Sequence, residues 1–248
     1  MAGKVTSRES NGTAFLELSN PGRLNALSLA MVDQLILETR KIEEKSDIRV
    51  VVIHGSNGNF SSGADIGDLA SFNMGMALKF HRKMNTLSYQ MRNSGKIYIA
   101  LLEGYALGGG FELSLSADMR ICSENTVMGQ PEINIGLNAG AGGNAILPRF
   151  TGRGNAMYLI LTGEKINAGR AVELGIVQKT VPQEHLYEEA ENLARRINSL
   201  LEESVSLTKM AVNTSYAGQI DAAMDMEALV FSWLNGQKEI KEKMKGFL

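Results

Sequence analysis

The sequence predicts an α/β protein with a helical C-terminal region, and three observations support this prediction. Strand, loop and helix patterns recur through about the first 180 residues, as in proteins whose helices cover the faces of a sheet. Three consecutive glycines, 108–110, stand between an apolar run and a short apolar helix pattern. After Val181-Pro182 only helical patterns follow, so we predict a core of residues 1–183 and a helical region of residues 184–248.

The N-terminal elements follow from apolar patterning and turn residues. Thr13–Ser19 runs apolar between turn signals and predicts a strand. Ser28 is a suitable N-cap for a helix that extends to about Lys45. The β-branched run Arg49–His54 indicates a buried strand. We expect helices over residues 76–92 and 112–116, and strands over 97–102, 120–123 and 126–128.

The C-terminal quarter carries no glycine-rich loop and predicts helices over residues 184–198, 204–216, 221–234 and 238–245. An apolar set in the third of these helices is able to face either the parent core or a partner subunit. Because apolar helical stripes are usually core, we favour packing against the core. The set comprises Met224, Leu229, Val230, Phe231 and Trp233.

Composition excludes several classes of function. The 25 basic and 27 acidic residues leave a net charge of −2, which disfavours a nucleic-acid partner and an electrostatic membrane anchor. No apolar segment approaches the roughly 20 residues that span a bilayer, and the first residues lack the apolar core of a secretory signal. We therefore expect a cytoplasmic protein that contacts neither nucleic acid nor membrane.

We predict structural roles for the single cysteine and for the three histidines. The single cysteine, Cys122, excludes an intramolecular disulfide framework, and its apolar neighbours predict core packing. The three histidines, His54, His81 and His185, are not spaced for metal binding. We interpret all three as structural or solvent-exposed rather than catalytic.

The segment from Gly104 to Leu113 is the most informative in the chain. Its glycines allow a ligand to approach the backbone, and the helix after them aims free N–H groups at that ligand. Glu112 lies on the first turn of this helix among apolar residues. A backbone anion cradle beside a partly buried carboxylate is suited to proton transfer next to a developing oxyanion.

Three further features accompany this segment. Glu132 follows a proline among apolar neighbours, residues 62–66 form a small-residue loop, and residues 139–143 form a second glycine-rich loop. Each alone is weak, because a glycine-rich turn is most often only a tight turn and Asp65 is expected to cap a helix. The glycines fit neither a dinucleotide nor a P-loop fingerprint, so nucleotide hydrolysis is disfavoured.

Together these features, in this order, resemble the enoyl-CoA hydratase/isomerase family, which has the crotonase fold. The resemblance covers nearly the whole chain. Its motifs are residues 20–27 (NPGRLNAL), 62–66 (SGADI), the glycine cluster with Glu112, 129–132 (GQPE), 161–166 (LTGEKI) and 171–177 (AVELGIV).

The resemblance implies roles for the backbone and for both glutamates. The N–H groups of Ala64 and Gly109 would form an oxyanion hole for a CoA thioester carbonyl. Glu112 would orient water and take its proton, and Glu132 would give a proton to the α-carbon. Gly140 would offer its N–H to the attacking water. One carboxyl must be ionised and the other protonated, and the sequence leaves open which holds the proton.

The resemblance also implies the binding partners and the assembly. Arg23, Leu24, Ala26, Asp65 and Ile66 would contact the CoA substrate, although a solvated Arg23 is an equal alternative. An acyl-CoA would be the substrate, and no cofactor is implied, because the CoA handle provides binding energy. We expect ββα units that wind into a spiral, followed by a helical region that assembles trimers or pairs of trimers.

The sequence departs from the hydratases at Ala139, where a proline is usual, and at Asn144-Ala145-Ile146, where Thr-Gln-Arg is usual. These changes bear on loop rigidity and acyl specificity. The leading hypothesis is an enoyl-CoA hydratase in fatty acid metabolism. The alternatives are an isomerase, another crotonase-type reaction such as hydration of a crotonobetainyl-CoA-like substrate, and an inactive acyl-CoA-binding protein. Two retained glutamates favour water addition.

Overall fold

The structure, a computed structural model, describes residues 3–218 and 220–245. The chain forms two compact units, one up to Arg195 and one from Arg196 onward. This division falls twelve residues after the predicted boundary at residue 183. The helix that spans Leu186–Asn198 explains the shift, because its first turns bury Leu186, Ala190 and Ala194 and therefore belong to the first unit.

Nine strands of the described residues form two sheets in the first unit. The six-stranded sheet has the order β1-β2-β3-β4-β6-β9, and the three-stranded sheet has the order β5-β7-β8. β1 pairs with β2 in antiparallel fashion, and the other pairs of the large sheet are parallel. The strands are β1 (Lys4–Ser10), β2 (Thr13–Ser19), β3 (Val50–Gly55), β4 (Ile97–Leu102), β5 (Tyr105–Leu107), β6 (Met119–Ser123), β7 (Val127–Gly129), β8 (Lys165–Asn167) and β9 (Lys179–Val181).

The described residues form ten α-helices, and short 3-10 helices at Pro131–Ile135 and Gln183–His185. They are α1 (Leu29–Glu43), α2 (Ile66–Ser71), α3 (Met74–Asn93), α4 (Gly109–Leu115), α5 (Gly143–Thr162), α6 (Ala168–Glu173), α7 (Leu186–Asn198), α8 (Glu202–Ala217), α9 (Ile220–Gly236) and α10 (Lys238–Lys245).

The expected ββα repetition is confirmed. In β4-β5-α4 and again in β6-β7-α5, the first strand joins the large sheet and the second joins the small sheet. The chain therefore alternates between the large and the small sheet, and a helix follows each of these pairs of strands. The central strands β3 and β4 are buried along their whole length, as their apolar composition predicted.

Several predicted elements match the structure closely, and others were missed. Ser28 caps α1 by accepting a hydrogen bond from the N–H of Met31 at 3.3 Å. α4 begins at the second glycine of the cluster, three residues before the predicted start. α5 was not predicted, because Pro148 and Gly152 stand inside it, and the helix is kinked where Gly152 adopts a φ of +75°. Cys122 is fully buried, as expected.

In the second unit, four of the five apolar residues in the α9 set have exposed side chains. Met224, Leu229, Phe231 and Trp233 are each between 50% and 69% exposed. None of the helices formed by residues 3–218 and 220–245 combines the length and the apolar character that a membrane crossing requires.

Candidate active site

Two glycine-containing loops lie against each other at one place in the first unit. The N–H of Ser61 donates to the carbonyl of Tyr105, and the N–H of Leu107 donates to the carbonyl of Ser61, both at 2.9 Å. A Cβ added to Gly63 would lie 2.8 Å from the carbonyl oxygen of Leu107 and 3.3 Å from the nitrogen of Gly109. Because Gly63 also has a φ of +102°, only glycine permits this approach.

The approach brings together the amides of Ala64 and Gly109. A Cβ added to Gly109 would lie 3.5 Å from the nitrogen of Ala64. Gly109 is the first residue of α4, where helix geometry leaves the N–H without an intrahelical partner. Among the residues that the structure describes, no backbone carbonyl accepts the N–H of Ala64. The structure therefore places the two predicted oxyanion donors side by side, with both amides available to a ligand.

Glu112 is held from the opposite side by the second glycine-rich loop. Its side chain is only 2% exposed, and its Oε1 accepts hydrogen bonds from the N–H groups of Ala141 at 2.7 Å and Gly143 at 2.9 Å. Burial raises the pKa of Glu112, and the amides of Gly143, Ala141 and Gly140 oppose that increase because they stabilise the carboxylate. Glu112 is more deeply buried than the sequence predicted, and its charge depends on this loop.

Glu132 lies beside the oxyanion donors. It belongs to the 3-10 helix after Pro131, and its Oε1 would be 3.0 Å from a Cβ added to Gly108, the residue before Gly109. Burial raises the pKa of Glu132 to about 7, and the charge of Glu112 contributes to the increase. The two carboxyl groups therefore interact electrostatically, although Glu132 adjoins the glycine cluster and Glu112 is held by the second glycine-rich loop.

Gln130 links the two glutamates, and sequence reasoning assigned it no role. Its buried side-chain amide, oriented with the NH₂ group toward Glu132, donates to both carboxylate oxygens at 3.2 Å. On its other side, a Cβ added to Gly143 would lie 2.6 Å from the same amide group. Gln130 thus fixes Glu132 against the loop that holds Glu112. The sequence feature that could have indicated this role is the position of Gln130 between the β7 strand and Pro131.

The loop of residues 20–27 is tied to the start of α2 by an ion pair between Arg23 and Asp65. Arg23 donates through Nη1 to both carboxylate oxygens of Asp65 at 2.6 and 2.7 Å, an arrangement that neither sequence interpretation of Arg23 anticipated. Asp65 caps α2, as predicted. Burial opposes its charge, but Arg23 and the amides of Asp68 and Gly67 outweigh this effect and lower the pKa of Asp65.

The predicted substrate-contact side chains differ in exposure. Leu24 is 48% exposed and Ile66 is 64% exposed, whereas Ala26 is buried. Leu24 and Asn25 both adopt positive φ angles, 47° and 55°. The side-chain amide of Asn25 supports this strained turn by donating to the carbonyls of Ser56 and Asn59.

An apolar cavity of about 440 Å³ opens beside Glu132. The 3-10 helix and α5 provide its walls, and Asn144, one of the residues that depart from the usual motif, lies in its lining. The side-chain NH₂ group of Asn144 donates to the carbonyl of Ala139 at 2.9 Å. Other lining residues are Ile133, Leu137, Pro148, Met157, Ile160 and Leu161.

Residues 8–248 match the sequence profile of the enoyl-CoA hydratase/isomerase family. A crotonyl-CoA hydratase of Syntrophomonas wolfei is 34% identical over 95% of this chain and 91% of its own length. A short-chain-enoyl-CoA hydratase of Clostridium acetobutylicum is 33% identical over 95% of this chain and 90% of its own. The crystal structure of an enoyl-CoA hydratase from Thermoplasma volcanium superimposes with a TM-score of 0.92 at 42% identity, covering 98% of this chain and 97% of that one.

Proposed function

Because the chain belongs to the enoyl-CoA hydratase/isomerase family and has its crotonase fold, we propose that it is an enoyl-CoA hydratase that converts a 2-enoyl-CoA into a 3-hydroxyacyl-CoA. The observation that carries the proposal is the grouping of one buried and one half-buried carboxyl group, Glu112 and Glu132, near one pair of free amides. Glu132 adjoins Gly108, and Glu112 is held by the loop that follows the 3-10 helix.

The oxyanion hole consists of the N–H groups of Ala64 and Gly109. Both donate to the thioester oxygen, on which negative charge grows as the enolate forms. The position of Gly109 at the start of α4 adds the positive end of the helix dipole. Removal of one donor of this kind typically slows a reaction by about 10²–10³-fold.

The two glutamates move the protons of a syn addition. The water oxygen bonds to the β-carbon while Glu112, ionised and stabilised by its N–H partners, takes one water proton. The α,β double-bond electrons form the enolate, and protonated Glu132 gives its proton to the α-carbon. Each turnover leaves Glu112 protonated and Glu132 ionised, and proton exchange with water restores the starting state. The raised pKa of Glu132, about 7, supports its role as the acid.

The binding surface of the substrate follows from the same geometry. The apolar cavity beside Glu132 receives the acyl chain. Leu24 and Ile66 contact the CoA portion, whereas Ala26 is buried, and Arg23 and Asp65 fix the shape of that loop through their ion pair. The N–H of Gly140, which stabilises the Glu112 carboxylate, is shared with the water that Glu112 holds. We propose no cofactor, because proton transfer and charge stabilisation need only side chains, amides and the CoA handle. We also propose a cytoplasmic location, which the single, buried Cys122 supports.

The test is hydration of crotonyl-CoA, followed as loss of the absorbance of the conjugated enoyl thioester. We expect turnover by the wild-type protein and formation of 3-hydroxybutyryl-CoA. A 3-enoyl-CoA that gains the conjugated absorbance, with no loss from crotonyl-CoA, would identify an isomerase instead. Tight CoA binding without either change would identify a binding protein.

We also propose that the protein assembles as a trimer or a pair of trimers. The exposed apolar side chains of α9 support this proposal, since apolar patches of this kind are typical of subunit interfaces. Light scattering should give three or six times the protomer mass of 26.9 kDa. A monomer or a dimer would contradict the assembly without affecting the assigned chemistry.

A further inference from the structure

His81 lies against the loop that holds Glu112. It is half-buried on α3, and its ring covers the Cα of Gly140. A Cβ added to Gly140 would lie 2.5 Å from both Nδ1 and Cε1 of the ring and 3.0 Å from Nε2. Because real Cβ contacts are essentially never this close, the ring of His81 can occupy this position only when residue 140 is glycine.

The loop that the ring contacts is the one that controls the charge of Glu112. The amides of Ala141 and Gly143 bond to Oε1 of Glu112, and the amide of Gly140 also stabilises its carboxylate. A displacement of Gly140 therefore moves the groups that hold the catalytic carboxylate.

α3 is also linked to the backbone of Glu112 through the side chain of Ser116. The hydroxyl of Ser116 donates to Ser88 at 2.8 Å and contacts the carbonyl of Glu112 at 3.1 Å. Ser88 lies seven residues after His81, which is two helical turns and places both side chains on one face of α3. The same helix therefore supports the backbone of Glu112 through Ser88 and Ser116, and through His81 it supports the loop whose amides hold the Glu112 carboxylate.

The ring contributes by shape rather than by hydrogen bonding. Its Nδ1 is buried, and no residue of the described part of the chain bonds to it. The edge of Phe80 packs against the ring with centroids 5.4 Å apart and planes at 87°, which restricts its rotation. Burial lowers the pKa of His81, so the ring is neutral at neutral pH.

We propose that His81 is a positioning residue for Glu112, acting through its ring on Gly140. The expected effect of this contact on the reaction rate rests on the proposed function, whereas its effect on the position of Glu112 does not. Since an ordinary backbone φ is found at Gly140, alanine is tolerated there except where it meets the ring.

A double-mutant cycle with crotonyl-CoA tests the contact. Gly140→Ala is expected to lower kcat by about 10²-fold with a KM within about threefold of wild type, because the loop must move. In a His81→Ala background, where the clash is absent, the same change should lower kcat by less than about threefold. An equal effect of Gly140→Ala in both backgrounds would overturn the proposal.

A second pair of measurements separates this proposal from the assigned reaction. His81→Phe keeps a ring at the contact and should retain kcat within about threefold, whereas His81→Ala should lose about tenfold. ¹³C NMR titration of the Glu112 carboxyl, assigned with Glu112→Gln, should show that Gly140→Ala shifts its midpoint only when His81 is present. This titration does not depend on turnover. An additive shift would reject the positioning role, whereas absent turnover in the wild type would reject the hydratase assignment.

Discussion

Replacement of Glu112 by glutamine is expected to lower kcat for crotonyl-CoA hydration by about 10³-fold, because the water loses its base. The carboxylate of Glu112 is buried and is held by two amide N–H groups, so no bulk water can replace it as a proton acceptor at the same position. The absorbance of the conjugated thioester measures the rate. KM should change little, since the carboxyl group acts on water rather than on the CoA portion.

Two controls make this prediction specific. The amide oxygen of a glutamine can still accept the N–H groups of Ala141 and Gly143, so the thermal midpoint of Glu112→Gln should stay close to that of the wild type. Glu112→Asp keeps the charge but withdraws it by one methylene, and should retain more activity than the glutamine variant. Glu112→Gln activity within tenfold of wild type would show that another group removes the water proton.

Replacement of Glu132 by glutamine is expected to lower kcat by about 10²–10³-fold and to abolish the alkaline limb of the pH profile. The pKa of Glu132 is raised to about 7, so its acid form is present below that pH and is lost above it. If the acid form donates to the α-carbon, kcat/KM of the wild type should fall as the pH rises through about 7.

The midpoint of that limb belongs to the pair, since Glu112 and Glu132 titrate together. A matched variant, Gln130→Leu, removes the amide that donates to both oxygens of Glu132 while leaving the carboxyl group in place. It should raise the alkaline midpoint, because the ionised form loses its donor. A wild-type rate that stays constant from pH 6 to pH 9 would contradict the assignment of Glu132 as the acid.

The parts of the fold that depend on local sequence could be predicted. Ser28 and Asp65 cap helices because their side chains bond to amides two or three residues away. The glycine cluster indicated a close backbone approach at the start of α4, because glycine has no side chain to prevent such an approach. These signals lie within a few residues of the feature that they predict.

The parts that depend on contacts between distant residues could not be predicted. The ion pair of Arg23 joins residues 42 positions apart, and the contact of His81 with Gly140 joins different elements. α5 escaped prediction because the breakers Pro148 and Gly152 are tolerated only through the kink that the structure contains. The approach of residues 62–66 to residues 108–110 was implied by the family resemblance alone, because the two segments lie more than 40 residues apart and neither names the other as its partner.

A crystal structure with acetoacetyl-CoA bound would show whether the two amides form an oxyanion hole, since this thioester has no 2,3 double bond to hydrate. We predict that its thioester oxygen lies about 2.7–3.1 Å from the nitrogens of both Ala64 and Gly109, with Glu112 and Glu132 facing the adjoining carbons. An oxygen that meets only one amide, or that points to solvent or to a side chain, would contradict it.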